Sequence, residues 1–448
     1  MRVVIVGAGE VGWYLAERLR AEGIDIVVVE IDKALADALS SELDVQVVNG
    51  SGSSPADLEA AGVARADLLA AVTQKDEVNL VASLLAKEYG VDTTIVRLQA
   101  AELRGEAGAH LREMVGADVV IDPDADTADE IYELVHATGA DEVYPMADGQ
   151  LTVIGAVIAE DSAFANRYLE EIGRDMGPNW DFLFGAVTRD NKTVVPRGDQ
   201  QLLAGDHVRV ICKASARSDL LQLLGVAGTR ARRVMVIGGG AVGSRVAEHL
   251  QGEGAEVVLI ERDQTRADDL ARRLKQVVVI KGDATNTELL LEESVGDMDA
   301  VIAVTGEDGS NALACAFAIS EGATYTVVVL HSLALLPLVR RFGVDAALSP
   351  RTASANAVLR RVRGGTAVNT FLESDSEVDE IEIGVGSKAD GAVVSDLHIP
   401  RNILIGAVIR PDAAAEIVRG RTVLKAGDHV VVFGRPQAIS RATSIFTG

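Results

Sequence analysis

The chain runs a short apolar strand into a glycine turn, and it does so twice. Val3-Val4-Ile5-Val6 leads into GAGEVG, Gly7 to Gly12, and Val234-Met235-Val236-Ile237 leads into GGGAVG, Gly238 to Gly243. A single turn of this kind is a short pattern with many chance matches. Here each copy opens the same longer series of landmarks. Gly7 to Glu30 is the same step as Gly238 to Glu261, NGSGSS at Asn49–Ser54 answers KGDATN at Lys281–Asn286, and AVTQKDEVN at Ala71–Asn79 answers AVTGEDGSN at Ala303–Asn311. A period this long is not that of a solenoid. It describes two similar lobes, each a complete nucleotide-binding unit.

The landmarks have physical work to do. In such a turn the first glycine (Gly7, Gly238) permits the tight bend. The second (Gly9, Gly240) lets a pyrophosphate approach the backbone, and the third (Gly12, Gly243) lets helix and strand pack closely. The helix that follows offers unpaired N–H groups and the positive end of its dipole. Glu30 and Glu261 end the second strand of each lobe, where a carboxylate accepts from ribose hydroxyls and repels a 2′-phosphate. NAD(H) or an adenine nucleotide is therefore expected rather than NADP.

Apolar runs alternating with amphipathic stretches predict a parallel sheet covered on both faces. Strands are expected near 2–6, 25–29, 45–48, 68–72, 94–98 and 118–121, with helices near 11–22, 33–41, 55–61, 77–89 and 101–115. Pro123 is expected to break the chain before a helix from about Thr127 to Ala137. The second lobe repeats this to Pro350 and a helix from about Ala353 to Arg363. Between and after the lobes lie strand-rich segments that echo one another: FGAVTRD at Phe184–Asp190 answers IGAVIRP at Ile405–Pro411, and LLAGDHVRVI at Leu202–Ile211 answers LKAGDHVVVF at Leu424–Phe433. The expected plan is thus α/β throughout: a Rossmann-like lobe (1–140, with its crossover helix), a small α+β domain (141–228), a second lobe (229–368) and a second small domain (369–448).

Composition excludes several classes. The net charge of −25 argues against nucleic acid and anionic lipid as partners, since both need a basic patch. Apolar runs are strand-length, short of the ~18 residues that cross a bilayer, and the chain opens directly into a strand, so a cytoplasmic protein without membrane insertion is expected. Cys212 and Cys315 stand far apart in apolar surroundings and read as buried free thiols. His207 and His429 recur in matched AGDH turns and read as turn residues before a strand, not as metal ligands.

The most specific stretches are VVIVGAGEVGWYLAERL, GSSPADLEAAGVARADLLAAVTQKDEVNLVA, VMVIGGGAVGSRVAEHL and GDATNTELL, with IGAVIR and AGDHVVVF near the C-terminus. On these the chain resembles the TrkA family of Trk potassium-uptake subunits, over its whole length, and each repeat resembles an RCK domain, a regulator of potassium conductance. The resemblance implies a homo-oligomeric gating ring beneath a potassium-translocating membrane subunit, with NAD(H) or ATP/ADP in the lobes biasing conductance. Carried over by position, Gly7, Ala8, Gly9, Glu10 and Val11 face the ligand phosphates and Glu30 the ribose. Thr73 and Gln74 end the fourth strand, where ligands sit in open α/β sheets, and Arg97 ends the fifth and pairs with phosphate. Ser51, Asp76 and Asn79 complete the candidate shell. The second lobe matches with Gly238, Gly239, Gly240, Ala241, Val242, Glu261, Asp283, Thr305, Asp308 and Asn311. It has Val329 in place of Arg97 and Asp283 in place of Ser51, so weaker or different binding is expected there.

Competing readings exist for three groups. Asn79 and Asn311 also suit helix caps, Asp76 and Asp308 suit helix N-terminal charges, and Arg97 suits a surface ion pair. For the whole chain the alternatives are an RCK-type regulator of another cation channel or antiporter, and an NAD-dependent oxidoreductase. Hydride transfer usually needs an acid or base beside the nicotinamide. No His-Asp, Tyr-Lys or Cys constellation stands out after either lobe, so a sensor is expected rather than an enzyme.

Overall fold

The first lobe is a parallel sheet of β1 (Arg2–Val6), β2 (Asp25–Glu30), β3 (Gln46–Asn49), β4 (Leu68–Ala71), β5 (Thr93–Arg97) and β6 (Val119–Ile121) in the order β3-β2-β1-β4-β5-β6. The structure is a computed structural model that describes residues 1–177, 180–190, 192–226, 230–362, 368–370, 376–411 and 413–447. The sheet order reverses between β1 and β4, which opens a crevice at the strand ends where the chain leaves for opposite faces. Val3, Val4, Ile5 and Val6 are all buried, as a strand covered on both faces requires.

The connecting helices are α1 (Glu10–Ala21), α2 (Lys33–Leu43), α3 (Pro55–Ala60), α4 (Asp76–Glu88), α5 (Ala101–Arg104) and α6 (Glu106–Met114), then α7 (Pro123–Val135). Two differ from expectation. The continuous helix expected over 101–115 is broken at Gly105, whose extended backbone caps α6. Helix α7 begins at Pro123 rather than at Thr127. Proline suits the first turn, where an N–H would have no helical partner anyway.

A small antiparallel domain follows, with β7 (Glu142–Met146), β8 (Leu151–Val157), β9 (Arg167–Tyr168), α8 (Leu169–Asp175), β10 (Phe182–Arg189), β11 (Lys192–Val194), β12 (Gln201–Leu202), β13 (His207–Lys213) and α9 (Arg217–Leu224). Its main sheet runs β11-β10-β13-β8-β7.

The second lobe repeats the first: β14 (Arg233–Ile237), α10 (Ala241–Gly252), β15 (Glu256–Glu261), α11 (Gln264–Arg273), β16 (Val277–Lys281), α12 (Thr287–Glu292), β17 (Ala300–Ala303), α13 (Asp308–Glu321), β18 (Thr326–Val329), α14 (Leu336–Arg341), β19 (Ala346–Leu348) and α15 (Pro350–Val362). The order β16-β15-β14-β17-β18-β19 is that of the first lobe. Helix α15 starts at Pro350, not at Ala353, for the same reason as α7; Arg363, its expected end, lies outside the described residues, as does the expected domain limit at 228–229. The last domain holds β20 (Val368–Thr370), β21 (Glu377–Glu382), β22 (Ile403–Ile409), β23 (Glu416–Ile417), β24 (His429–Gly434) and α16 (Pro436–Thr447), with sheet order β20-β21-β24-β22-β23.

The chain divides into two units, and neither is one continuous run. The first joins Met1–Asp126 to Pro350–Val368, and the second joins Thr127–Ser349 to Asn369–Gly448. In the first unit, α15 lies on α1: Ala355, Val358 and Leu359 are buried in one apolar cluster with Val11, Leu15 and Leu19, and the Arg351 guanidinium sits over the Tyr14 ring. In the second unit, Ala128, Ile131, Leu134 and Val135 of α7 share a cluster with Val246, Ala247 and Leu250 of α10. Glu253, just past α10, takes the Tyr132 hydroxyl and the His136 ring, the latter at 2.7 Å, and pairs with Arg230. Each lobe thus gives up its crossover helix and receives the other's.

Cys212 and Cys315 are buried free thiols, as expected, and burial pushes both up to about 12. The AGDH turns are built by their aspartates, since Asp206 accepts from Leu203 N–H and Asp428 from Lys425 N–H. His207 is the first residue of its strand. Its Nε2 lies 2.8 Å from Asp141, which Arg340 also approaches, while Glu142 beside it holds Arg209 in a two-pronged pair. Asp141, Glu142 and His207 are close enough to share a metal ion, but the two arginines already neutralise both carboxylates.

Candidate nucleotide-binding site

In both lobes the glycine turn lies at the crevice where the sheet order reverses. Gly7 and Gly238 take φ of 102° and 111°, a region that favours glycine. The third glycine is held by close approach: a Cβ on Gly12 would stand 1.8 Å from the Gly7 carbonyl oxygen, and one on Gly243 would stand 1.9 Å from that of Gly238. The second glycine faces the other way. A Cβ at Gly9 or Gly240 would meet nothing within 4 Å. These residues cap α1 and α10 in extended conformation with no side-chain bond to the free N–H groups. The position that must stay bare for a pyrophosphate is therefore open in each lobe, and the fit to a nucleotide is good.

Glu30 and Glu261 are buried, and both their carboxylates brace the turn. Glu30 Oε2 accepts from Ala8 N–H and Oε1 from Asp32 N–H at 2.8 Å. Glu261 accepts from Gly239 N–H at 2.9 Å and Asp263 N–H at 2.8 Å. A carboxylate has about four acceptor sites, so ribose hydroxyls still have room. Ala8 and Val11 are buried within the turn, whereas Glu10 is exposed at the start of α1. In the second lobe Ala241 and Val242 take the places of Glu10 and Val11.

Thr73 and Thr305 sit past the fourth strand of each lobe, on the crevice side, and Gln74 is exposed beside Thr73. Asn79 and Asn311 prove to be neither exposed ligand groups nor caps. Asn79 is fully buried; its Oδ1 accepts from Thr73 N–H and hydroxyl at 3.0 and 2.7 Å, and its Nδ2 donates to the Thr73 and Arg97 carbonyls at 3.0 and 2.8 Å. Asn311 does the same for Thr305 and the Val329 carbonyl. Each asparagine ties the ends of two strands to a helix.

Asp76 and Asp308 also turn inward to the fold. Asp76 accepts from Gln99 and Ala100 N–H, and Asp308 from His331 and Ser332 N–H and the His331 ring, so each anchors the loop after the fifth strand. Burial raises the Asp308 carboxyl, but these donors outweigh it and the net shift is downward. On the loop after the third strand, Ser51 shares a hydrogen bond with Ser53 at 2.9 Å, and Asp283 accepts from Thr285 N–H and hydroxyl.

Arg97 is half-buried at the end of β5. Burial lowers its guanidinium against the opposing fields of Asp124, Asp76 and Glu10, and its Nε finds no hydrogen-bond partner among the described residues. A desolvated cation beside the glycine turn suits an anionic ligand. Its counterpart Val329 is buried and neutral. Because Glu10 is likewise replaced, by Ala241, the second lobe lacks one charge of each sign at these two places.

Other differences escaped attention in the sequence. The residues after the two glutamates do not match: Ile31 and Leu35, exposed at 74% and 41%, stand where the second lobe has Arg262 and Arg266. Lys75 stands where it has Glu307. Arg262 Nη1 is 2.7 Å from Glu307, and both line the second cleft with Gly240, Glu261, Arg266 and Thr305. Carrying the alignment of the two repeats on for five positions past each acid, and two past Thr73 and Thr305, would have found them.

Two parallel lobes, each with an open glycine turn braced by a carboxylate and each followed along the chain by a small antiparallel domain, define a tandem module of the nucleotide-binding class. The TrkA-N domain model matches residues 3–123 and 234–350, and the TrkA-C domain model matches 153–225 and 378–447. The chain belongs to the TrkA family. It is 33% identical to the Trk system potassium uptake protein TrkA of Halomonas elongata over 97% of this chain and 95% of that one. It is also 33% identical to a TrkA homolog of Archaeoglobus fulgidus over the full length of both. Among solved structures, the GsuK RCK domain shares the fold with TM-score 0.61 at 18% identity, covering 99% of this chain and 94% of that one. The GsuK channel bound to NAD gives TM-score 0.61 at 18% identity over 99% of this chain and 78% of that one. Among the described residues, no helix is long and apolar enough to cross a membrane.

Proposed function

We propose that the protein is the cytoplasmic nucleotide-sensing subunit of a Trk-type potassium-uptake system, and a sensor rather than an enzyme. The observation that carries this is the duplicated cleft, open at Gly9 and Gly240 and braced by Glu30 and Glu261, in a chain that follows TrkA proteins from end to end. In this reading several copies form a ring beneath a potassium-translocating membrane subunit, and NAD(H), ATP or ADP biases the ring. The glycine turn and helix N-terminus hold the phosphates, with Arg97 beside them in the first lobe, and Glu30 holds the ribose. A ligand moves the ring only by its differential affinity for two ring states, so tenfold preference supplies about 1.4 kcal/mol per site.

The test is potassium flux through the membrane subunit reconstituted with this protein, titrated with NADH, ATP and ADP. Flux should change with nucleotide, and the response should vanish when Gly9→Trp and Gly240→Trp are combined. Flux indifferent to nucleotide would end this reading. Turnover of NADH by the purified chain would favour the oxidoreductase, and a response restored only by an antiporter or another cation channel would favour the other regulator.

A further inference from the structure

The two clefts differ in charge just past the strand-ending acids, where an adenosine would lie. In the first lobe, Glu30 is followed by the exposed apolar side chains of Ile31 and Leu35, and no cation pairs with its carboxylate among the described residues. In the second lobe the same two places carry arginines. Arg266 Nη1 stands 3.4 Å from Glu261 Oε2. Arg262 reaches across the cleft to Glu307, and both arginines keep more than half of their side chains exposed. Glu261 is therefore neutralised by a cation that Glu30 lacks.

The sign of charge at this point decides which nucleotide fits. An acid alone after the second strand accepts from the free 2′-hydroxyl, while an arginine nearby accommodates a 2′-phosphate. We infer that, against the expectation drawn from Glu261 alone, the second cleft is selective for an adenine dinucleotide phosphorylated on the adenosine ribose, and that the first is selective for the unphosphorylated form. The inference rests on the nucleotide-sensing reading above. Both arginines line the second cleft, with Glu261, Asp283 and Glu307 as the acids around them, and both can form two-pronged bonds to a phosphate. Glu307 is the internal anion that Arg262 holds until such a phosphate takes its place. The phosphate end of the second cleft is no obstacle. Gly240 is open there, and Val329 and Ala241 replace the opposed charges of Arg97 and Glu10 without changing their sum.

Two single-site chains test this, each probed with NADH and NADPH by calorimetry. Tryptophan at Gly9 or Gly240 enters open space, so each variant should fold with one cleft filled. In Gly9→Trp, which leaves the second cleft, NADPH should bind about tenfold more tightly than NADH. Arg266→Gln and Arg262→Gln, added singly, should each reduce that ratio toward one. In Gly240→Trp, which leaves the first cleft, NADH should bind more tightly than NADPH. Equal binding of both, preference for NADH, or no binding by Gly9→Trp overturns the inference. A Gly240→Trp chain that binds neither nucleotide instead counts against nucleotide sensing itself, so the two failures are read in different proteins.

Discussion

The Glu30 carboxylate accepts from the backbone N–H of Ala8, inside the glycine turn, and so links the end of β2 to the start of α1. Glu261 repeats the link to Gly239. The acid proposed to hold the ribose is thus also a brace for the turn proposed to hold phosphate. Glu30→Ala should lower stability without any ligand, by about 1–3 kcal/mol for a buried donor left unmet. Glu30→Gln, which keeps an acceptor, should lose less stability yet still weaken NADH. Denaturant unfolding and calorimetry on both variants separate the two roles; unchanged stability in Glu30→Ala would remove the brace.

The second and third glycines of one turn should behave oppositely. Gly12→Ala forces a methyl to 1.8 Å from the Gly7 oxygen, so backbone must move. We expect destabilisation of about 4 kcal/mol or more, or failure to fold. Gly9→Ala places its methyl in open space and should change stability by less than about 1 kcal/mol while weakening nucleotide. Thermal unfolding of the pair, without ligand, is the check.

Asn79→Ala should cost about 2–4 kcal/mol, because several buried backbone and hydroxyl groups lose partners at once. Asn79→Asp keeps the acceptor toward Thr73 but turns a donor into a second acceptor facing the Thr73 and Arg97 carbonyls, so it should be no better. Hydrogen exchange at the Thr73 amide should rise in both, and protection equal to the unmodified protein would show the clamp to be dispensable.

Acid should loosen the seat of α7. The Tyr132 hydroxyl bond lowers the Glu253 carboxyl most; burial opposes it, and the His136 ring and Arg230 add to the lowering. A carboxyl lower in the folded state stabilises fully above its unfolded value, about 4.3, and loses that contribution as pH falls through its folded value. Stability should therefore drop below about pH 4, and Glu253→Gln should flatten that part of the profile while being less stable at neutral pH. Parallel profiles for the two proteins would contradict the assignment.

Strands, turns and strand-ending acids were legible because their periods and spacings are local and occur twice. The clamp made by Asn79 was not, since the Arg97 carbonyl it holds lies on the next strand and no spacing announces it. The fields of Asp124, Asp76 and Glu10 on Arg97 come from separate elements and needed the fold to become visible. The arginines past Glu261 stood in plain view, but a motif stops at the acid and says nothing of the residue after it. The expectation of one continuous helix over 101–115 failed at Gly105, where apolar periodicity on both sides outweighed the single residue that interrupts it.

The exchange of α7 and α15 is what two identical chains do when they swap an arm to make a dimer. Here the swap is closed within one polypeptide, so the partner arm is always present at a concentration set by the tether and not by the cell. Dilution cannot undo it. The symmetry that identical chains would enforce no longer binds the two halves, and a substitution in one is not copied in the other. Ile31 and Arg262 stand at matched places and differ: a covalent pair can carry two different clefts where a homodimer must carry the same one twice.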